Sequence, residues 1–200
     1  MTLEQAAAFF VFALVAAITP GPSNVLLTAT GMQAGLLRGL PCLFGIGAGM
    51  GLMMFLAAYG FGALVLQHPQ AMQVVRWLGA AFLLWLAWKI ASAPVNDGGS
   101  GEAPRPTGFL GAALLQWVNP KAWLVSAGAV ATYLPGETGS SLLRATVFTL
   151  VFVSAALPSS LLWLAFGAAA QRLLRDPRRQ RGFNIAMGLA LAASVAMILR

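Results

Sequence analysis

A short polar interruption in the first apolar stretch has residue types that could bind a small charged solute. Its six residues are Thr19, Pro20, Gly21, Pro22, Ser23 and Asn24. A proline has no N–H, so Pro20 and Pro22 would each free a carbonyl one turn earlier, and a helix restarted at Pro22 would present unpaired N–H groups. Carbonyl oxygens attract a cation, and a helix start attracts an anion. The interruption therefore predicts a site for a zwitterion such as an amino acid, with a simple proline kink as the structural alternative.

A second interruption, Asn119-Pro120-Lys121, places a charge deep in another apolar stretch. Lys121 lies 13 residues from each end of the segment Gly108–Leu134, too far for its side chain to reach water easily. A charged side chain at such a depth is costly and is by default a functional candidate. Lys121 could pair with a substrate carboxylate or carry a proton. The structural alternative is a lysine bonded to a freed carbonyl, such as that of Gln116.

The positions of the remaining reactive side chains exclude several classes of function. All five acidic residues lie at segment ends or in loops, which disfavours a carboxylate proton relay and the binding of divalent cations. They are Glu4, Asp97, Glu102, Glu137 and Asp176. The single Cys42 and the single His68 form no catalytic or metal-ligand set. The sequence therefore predicts neither an enzyme nor a metal or cofactor site.

The composition predicts that both interruptions lie within a membrane. Of the 200 residues, 59% are hydrophobic and 8% charged, whereas about a quarter are charged in soluble domains. Six apolar segments have about the length needed to cross a bilayer. They are Glu4–Thr30, Leu40–Leu66, Gln70–Ala91, Gly108–Leu134, Leu142–Ala170 and Phe183–Leu199. We therefore expect an all-α membrane protein with six transmembrane helices, whose partner is the lipid bilayer.

The charges of the loops predict the orientation. The net charge of +7 does not indicate a nucleic-acid partner, because five of the twelve cations cluster between the last two segments. They are Arg172, Arg175, Arg178, Arg179 and Arg181. Loops one, three and five together hold eight cations, and the other side holds three. Because cytoplasmic loops are enriched in Lys and Arg, we expect these three loops inside and both termini outside.

The order of the segments predicts two inverted repeats within a single transmembrane domain. The halves 1–91 and 108–200 each begin with a proline-broken helix, and a polar linker, 92–107, joins them. Since three spans are an odd number, the second half must enter from the opposite side, as in many transporters. Glycines spaced four apart, such as Gly45 and Gly49, allow close helix packing within one chain or in a homodimer.

These motifs also resemble the LysE/RhtB family of amino-acid exporters along nearly the whole chain. Residues 19–24 resemble the family's TPGPxN motif, residues 79–89 its third-helix block, and residues 119–121 its NPK motif. Residues 88–91 and 116–134 look most like the cysteine/O-acetylserine exporters of that family. The resemblance implies efflux of amino acids across the bacterial inner membrane, which would place the termini in the periplasm.

The function predicted from the sequence is secondary export of a neutral amino acid or a close derivative. The resemblance carries substrate binding to residues 19–24 and 119–121, and it implies exchange against protons, for which the sequence has no intramembrane carboxylate. Gln116 is added as a candidate for binding because it stands opposite Pro120 in the broken helix. An ion or metal permease and a non-transporting membrane scaffold are the alternatives.

Overall fold

The computed structural model describes residues 1–61, 69–94, 106–134, 142–174 and 176–199, which form helices and no strand. The helices are α1 (Leu3–Ile18), α2 (Pro22–Leu56), α3 (Pro69–Ala91), α4 (Phe109–Val118), α5 (Pro120–Tyr133), α6 (Leu142–Leu173) and α7 (Pro177–Leu199). A π-helical turn, Ala57–Phe61, extends α2. Most of the predicted linker, residues 95–105, lies outside the described residues.

A break lies at both places where the sequence predicts one. Helix α1 ends at Ile18 and α2 begins at Pro22, and the single residue Asn119 separates α4 from α5. The 16 residues of α1, the 10 of α4 and the 14 of α5 correspond to about 24, 15 and 21 Å. None of these helices alone reaches the roughly 30 Å of a hydrocarbon core, so each broken helix needs the segment beyond its break to cross it.

Helix α2 is a hairpin of two helical arms that reverses at one glycine. Gly35 has φ 77° and ψ −179°, and the residues on both sides of it are helical. Thr30 Oγ1 of the first arm lies 3.7 Å from Cys42 Sγ of the second, and Gly31 and Gly39 both lie against Leu164 of α6. The predicted loop between Thr30 and Leu40 is therefore wrong, because a glycine in this conformation turns the chain without one.

Gly35→Ala is expected to destabilise the protein by about 1–3 kcal/mol, because its φ and ψ fall in a region that is essentially restricted to glycine. The loss should appear as a lower apparent melting temperature in detergent micelles. Gly182→Ala is the control, since a Cβ there meets nothing within 4 Å. Equal melting temperatures for the two variants would contradict the strain at Gly35.

Glycines spaced four residues apart form contacts between helices of one chain. Gly45 and Gly49, on the second arm of α2, lie against the backbone of α4 at Phe109 and Ala113. Gly47 on the same arm faces Leu157 of α6. Small residues allow such close approach in lipid, so packing within the chain accounts for this spacing.

Gly167→Ala is expected to cost about 1–3 kcal/mol, because the added Cβ would collide with the carbonyl oxygen of Thr28. Backbone cannot move aside as the end of a side chain can. Gly128→Ala, in α5, meets nothing within 4 Å and should be neutral or slightly stabilising. Chemical denaturation of both variants in micelles measures the difference, and a stable Gly167→Ala protein would show that α2 and α6 can separate.

Helices at matching positions of the two halves pack against each other in opposite directions. Between the second arm of α2 and α6, Gly39 lies against Leu164 and Gly47 against Leu157. In α3 and α7, Gly188 lies against Ala87 and Ala91, and Arg181 donates a hydrogen bond of 3.4 Å to the Ala93 carbonyl. Both pairs are antiparallel, because residue numbers rise along one helix as they fall along the other.

The five-arginine cluster is largely helical rather than a loop. Arg172 lies in the last turn of α6, and α7 begins at Pro177, six residues before the predicted start at Phe183. Asp176 Oδ1 accepts a hydrogen bond of 2.8 Å from the Arg178 backbone N–H, which stabilises this start. Arginine favours helix, so its charge does not mark a helix end. Arg175 lies outside the described residues.

Large apolar side chains cover the outside of the helices. Leu37, Trp88, Leu124 and Leu173 are each more than two-thirds exposed, at 79%, 69%, 71% and 79%. Exposure of this kind along several helices is typical of a surface that meets lipid. Asn24, Gln116 and Asn119 are instead buried, so these three polar side chains at the two breaks face inward.

Candidate functional site

The two helix breaks lie against each other at the centre of the protein. Lys121 Nζ, from the second break, donates hydrogen bonds to the carbonyl oxygens of Thr19 and, at 3.4 Å, Pro20 in the first. A chain of side-chain hydrogen bonds also joins the breaks, from Asn119 Nδ2 to Ser23 Oγ (3.2 Å) and from Ser23 Oγ to Gln116 Oε1 (3.1 Å). Residues about one hundred positions apart in sequence therefore form one polar cluster.

The carbonyls at the end of α1 are paired with donors from elsewhere in the fold. Asn24 Nδ2 donates to the carbonyls of Ala17 (3.0 Å) and Thr19 (2.9 Å), so one amide bridges the break. Trp163 Nε1, from α6, donates to the Ile18 carbonyl at 3.3 Å. Irregular backbone is tolerated at membrane depth where protein groups satisfy it in this way.

The second break is capped by its own asparagine. Asn119 Oδ1 accepts a hydrogen bond of 3.1 Å from the Lys121 backbone N–H, which caps α5. The Gln116 carbonyl accepts one of 3.2 Å from the Asn119 backbone N–H. The structural alternative, a lysine bonded to freed carbonyls, therefore holds for the carbonyls of Thr19 and Pro20, and its example of the Gln116 carbonyl is wrong because that carbonyl is paired locally.

Gly21 leaves the space that the Lys121 side chain occupies. A Cβ at Gly21 would lie 2.9 Å from Lys121 Cδ and 3.2 Å from Nζ, inside normal contact distance. Gly21 has φ −173°, an extended conformation that any residue adopts, so what it contributes is space. Within the described part of the chain, Lys121 forms no ion pair with an acidic side chain. Its positive charge is met by carbonyl dipoles.

An open cavity lies beside this cluster, with about 570 Å³ of empty space including its mouth. Its polar lining comes from both breaks and from α6, and its apolar walls come from α1, α2, α5 and α6. The polar residues are Ser23, Asn24, Gln116, Asn119, Lys121 and Ser160. A concave, mostly apolar site with a few convergent polar groups is the usual form of a small-molecule site.

The structure separates the predicted site residues by how they contribute. Gly21 lines the cavity, but the side chains of Thr19 and Pro20 are exposed, and Thr19 Oγ1 turns back to the Val15 carbonyl at 2.6 Å. Thr19 and Pro20 therefore contact Lys121 through their backbone carbonyls. Pro22 is buried as the first residue of α2, and Pro120 begins α5.

Sequence reasoning missed Ser160 of α6, which lines the cavity and is 7% exposed. The signal was present, because Pro158-Ser159-Ser160 is a proline followed by two hydroxyls inside an apolar segment. Met50 and Phe152 were also missed, and nothing in their type distinguishes them from other apolar residues of the same helices. Only the fold places them at the cavity wall.

A cluster of aromatic side chains near the start of α1 contacts the cavity through one of its wall residues, Phe152. Phe9 stacks on Phe148 of α6 with ring centroids 3.9 Å apart, and Tyr133 at the end of α5 lies 5.2 Å from Phe9. Phe152 belongs to this cluster and also lines the cavity. A solute leaving along α1 in that direction would have to pass or displace these rings.

Comparison with known proteins gives consistent matches along the chain. A family model described as LysE type translocator matches residues 14–199. The cysteine/O-acetylserine efflux protein of Salmonella typhimurium (strain LT2) is 32% identical, covering 96% of this chain and 97% of the relative. The protein of the same name from Escherichia coli (strain K12) is 32% identical, covering 96% and 95%. No solved structure gives a significant match.

Proposed function

Because the chain belongs to the family of LysE type translocators, we propose that it exports a small neutral amino acid or a close derivative from the cytoplasm by secondary transport. The observation that carries this proposal is the meeting of the two breaks around Lys121. Carbonyl oxygens, an ammonium group and amide side chains converge there beside an open cavity. These groups complement the carboxylate and the ammonium of a zwitterion.

The names of the relatives support a small polar substrate. Cysteine and O-acetylserine share an α-ammonium and an α-carboxylate and differ in a short side chain. The carbonyls, the lysine and the amides of the site would bind the shared ammonium and carboxylate. The apolar wall near Met50 and Phe152 would face the substrate side chain. We therefore propose either of these two solutes, or a close analogue, as substrate.

We assign substrate contact to the two breaks. The carbonyls of Thr19 and Pro20 would accept hydrogen bonds from the ammonium, and Lys121 would pair with the carboxylate. The amides and hydroxyls of Ser23, Asn24, Gln116 and Asn119 would orient the solute or hold the backbone that does. Gly21, Pro22 and Pro120 would shape the breaks without contributing a polar side chain.

Alternating access would come from two inverted three-helix repeats, residues 1–91 and 108–200, joined by the linker 92–107 in one transmembrane domain. The antiparallel packing of the second arm of α2 on α6 and of α3 on α7 supports this assignment, since a pseudo-two-fold axis in the membrane plane makes matching helices antiparallel. The contact between the breaks would lie on that axis. Rocking one repeat against the other would expose the site to each side in turn.

The proposed location is the bacterial inner membrane, with the termini in the periplasm. In this orientation the turn at Gly35 and the arginines at the start of α7 face the cytoplasm, in agreement with the positive-inside rule. The aromatic cluster of Phe9, Tyr133 and Phe148 would then close the periplasmic end of the cavity.

Efflux from proteoliposomes tests the function directly. Liposomes loaded with labelled O-acetylserine or cysteine should release it faster than protein-free liposomes, and a parallel series with an imposed pH gradient shows whether protons are coupled. Flux of a divalent metal without amino-acid flux would favour a metal permease instead. A folded protein that moves neither solute would contradict transport and favour a scaffold.

A further inference from the structure

We propose that Lys121 is a tethered substitute for the substrate's ammonium: in the empty site its ammonium group occupies the carbonyl subsite that the amine of the amino acid takes on binding. This inference rests on the proposed function, because it names the part of the zwitterion that each end of that site receives. It also assigns Lys121 two alternating positions, one on the carbonyls and one on the substrate carboxylate.

The hydrogen bonds around Lys121 Nζ are those expected for an amine subsite that is already filled. The Thr19 carbonyl accepts hydrogen bonds from both Lys121 Nζ and Asn24 Nδ2, and the Pro20 carbonyl accepts one from Lys121 Nζ. An ammonium group has three donors and needs acceptors around it when it is out of water. A substrate ammonium would need the same acceptors, so it must displace Lys121 to reach them.

The packing around Lys121 allows this displacement. Its side chain lies along Gly21, where a Cβ would lie 2.9 Å from Cδ, and both residues line the open cavity. Four flexible methylenes let the ammonium swing from the carbonyls into that cavity while the backbone stays fixed. The Lys121 backbone N–H stays bonded to Asn119 Oδ1, which anchors the base of the arm.

An exchange of partners on binding follows from this geometry. The substrate carboxylate draws the Lys121 ammonium off the carbonyls, and the substrate ammonium replaces it there. Each charge keeps a partner before and after the exchange, so no unpaired charge is left in the membrane. When the solute leaves, Lys121 returns to the carbonyls, and the empty carrier can reorient with that subsite filled by its own cation.

Half-ligands test the exchange in the wild-type protein without any mutation. Propylamine supplies the ammonium alone and propionate the carboxylate alone, and titration calorimetry of the purified exporter measures each. We expect propionate to tighten propylamine binding by about tenfold, because the carboxylate removes the lysine that competes with the amine. Independent or mutually weakening binding of the two half-ligands would overturn the proposal.

The variant Lys121→Met tests directly whether the Lys121 ammonium competes with an added amine for the carbonyls. It should bind propylamine alone about tenfold more tightly than the wild type, and added propionate should no longer matter. Lys89→Met, at the only other lysine in the sequence, should behave as the wild type. A Lys121→Met protein that gains no amine affinity overturns the proposal even if the wild type exports amino acids. If Lys121→Met binds propylamine more tightly but the wild type moves no amino acid, the exchange of partners stands and only the transport function is refuted.

Discussion

Export by a Lys121→Ala variant is expected to fall by about 10- to 150-fold, the equivalent of the roughly 1.5–3 kcal/mol that a charged hydrogen bond contributes. The substitution removes the cation proposed to pair with the substrate carboxylate. It also removes the donor that spans the two breaks, because Lys121 Nζ bonds the carbonyls of Thr19 and Pro20. Both losses act at the point where the two helix breaks meet.

The measurement is initial efflux of labelled amino acid from proteoliposomes containing equal amounts of each protein. Lys89→Ala is the matched control, because this is the other lysine of the chain and its side chain is exposed at the end of α3, with Nζ 5.1 Å from the centre of the Trp85 ring. It should export at a rate near that of the wild type. Equal rates for Lys121→Ala and the wild type would show that the cavity between the breaks is not the transport site.

The position of the breaks could be predicted because it follows from local chemistry. Proline lacks a donor and is favoured in the first helical turn, so Pro22 and Pro120 locate the restart of each helix within a residue or two. Membrane-length apolar segments likewise predicted α3, where the expected start at Gln70 differs from the observed Pro69 by one residue. Both properties depend only on neighbours in the chain.

The partner of Lys121 could not be predicted in the same way. The sequence shows that a buried lysine needs acceptors, and the nearest freed carbonyl in the chain is that of Gln116. The acceptors are instead the carbonyls of Thr19 and Pro20, 102 and 101 residues away. Only the packing of the two halves decides between local and distant carbonyls, and no periodicity in a single segment contains that information.

The turn at Gly35 shows a second limit of local reasoning. A glycine within an apolar stretch has several uses, and the spacing of Gly31, Gly35 and Gly39 indicated packing. Gly31 and Gly39 do pack against α6, whereas Gly35 between them has the positive φ that reverses the chain. The three have the same side chain and differ only in backbone conformation, which depends on where both arms of α2 find space on α6.

The site also differs from the one expected from the sequence in its internal pairing. The sequence predicted that a substrate carboxylate would bind at the restarted helix and a substrate ammonium at the freed carbonyls, with both sets of backbone groups unpaired. In the structure Asn24 bridges the carbonyls of Ala17 and Thr19, and Ser23 lies between Asn119 and Gln116. A substrate at the proposed site would therefore have to exchange hydrogen bonds with protein groups, and its affinity would depend on the strength of the bonds it replaces.

Asn24→Leu is expected both to abolish export and to destabilise the protein by about 1–3 kcal/mol, the cost of one unsatisfied buried carbonyl. Asn24 is 5% exposed, and its amide is the described donor to the Ala17 carbonyl and one of two donors to that of Thr19. Leucine has nearly the same volume but no donor. The first break would lose the amide that bridges its two carbonyls and stabilises its non-helical backbone.

The same substitution at another buried asparagine provides the control. Asn184 in α7 is 4% exposed, and its Oδ1 accepts no hydrogen bond from the described residues. Replacing a polar group that lacks a partner with an apolar one is near neutral or stabilising, so Asn184→Leu should unfold at or above the wild-type denaturant midpoint and still export. If both leucine variants lose similar stability, burial alone explains the effect and Asn24 has no special role in bridging the break. If Asn24→Leu is destabilised yet exports normally, the bridge supports the fold and the substrate does not depend on it.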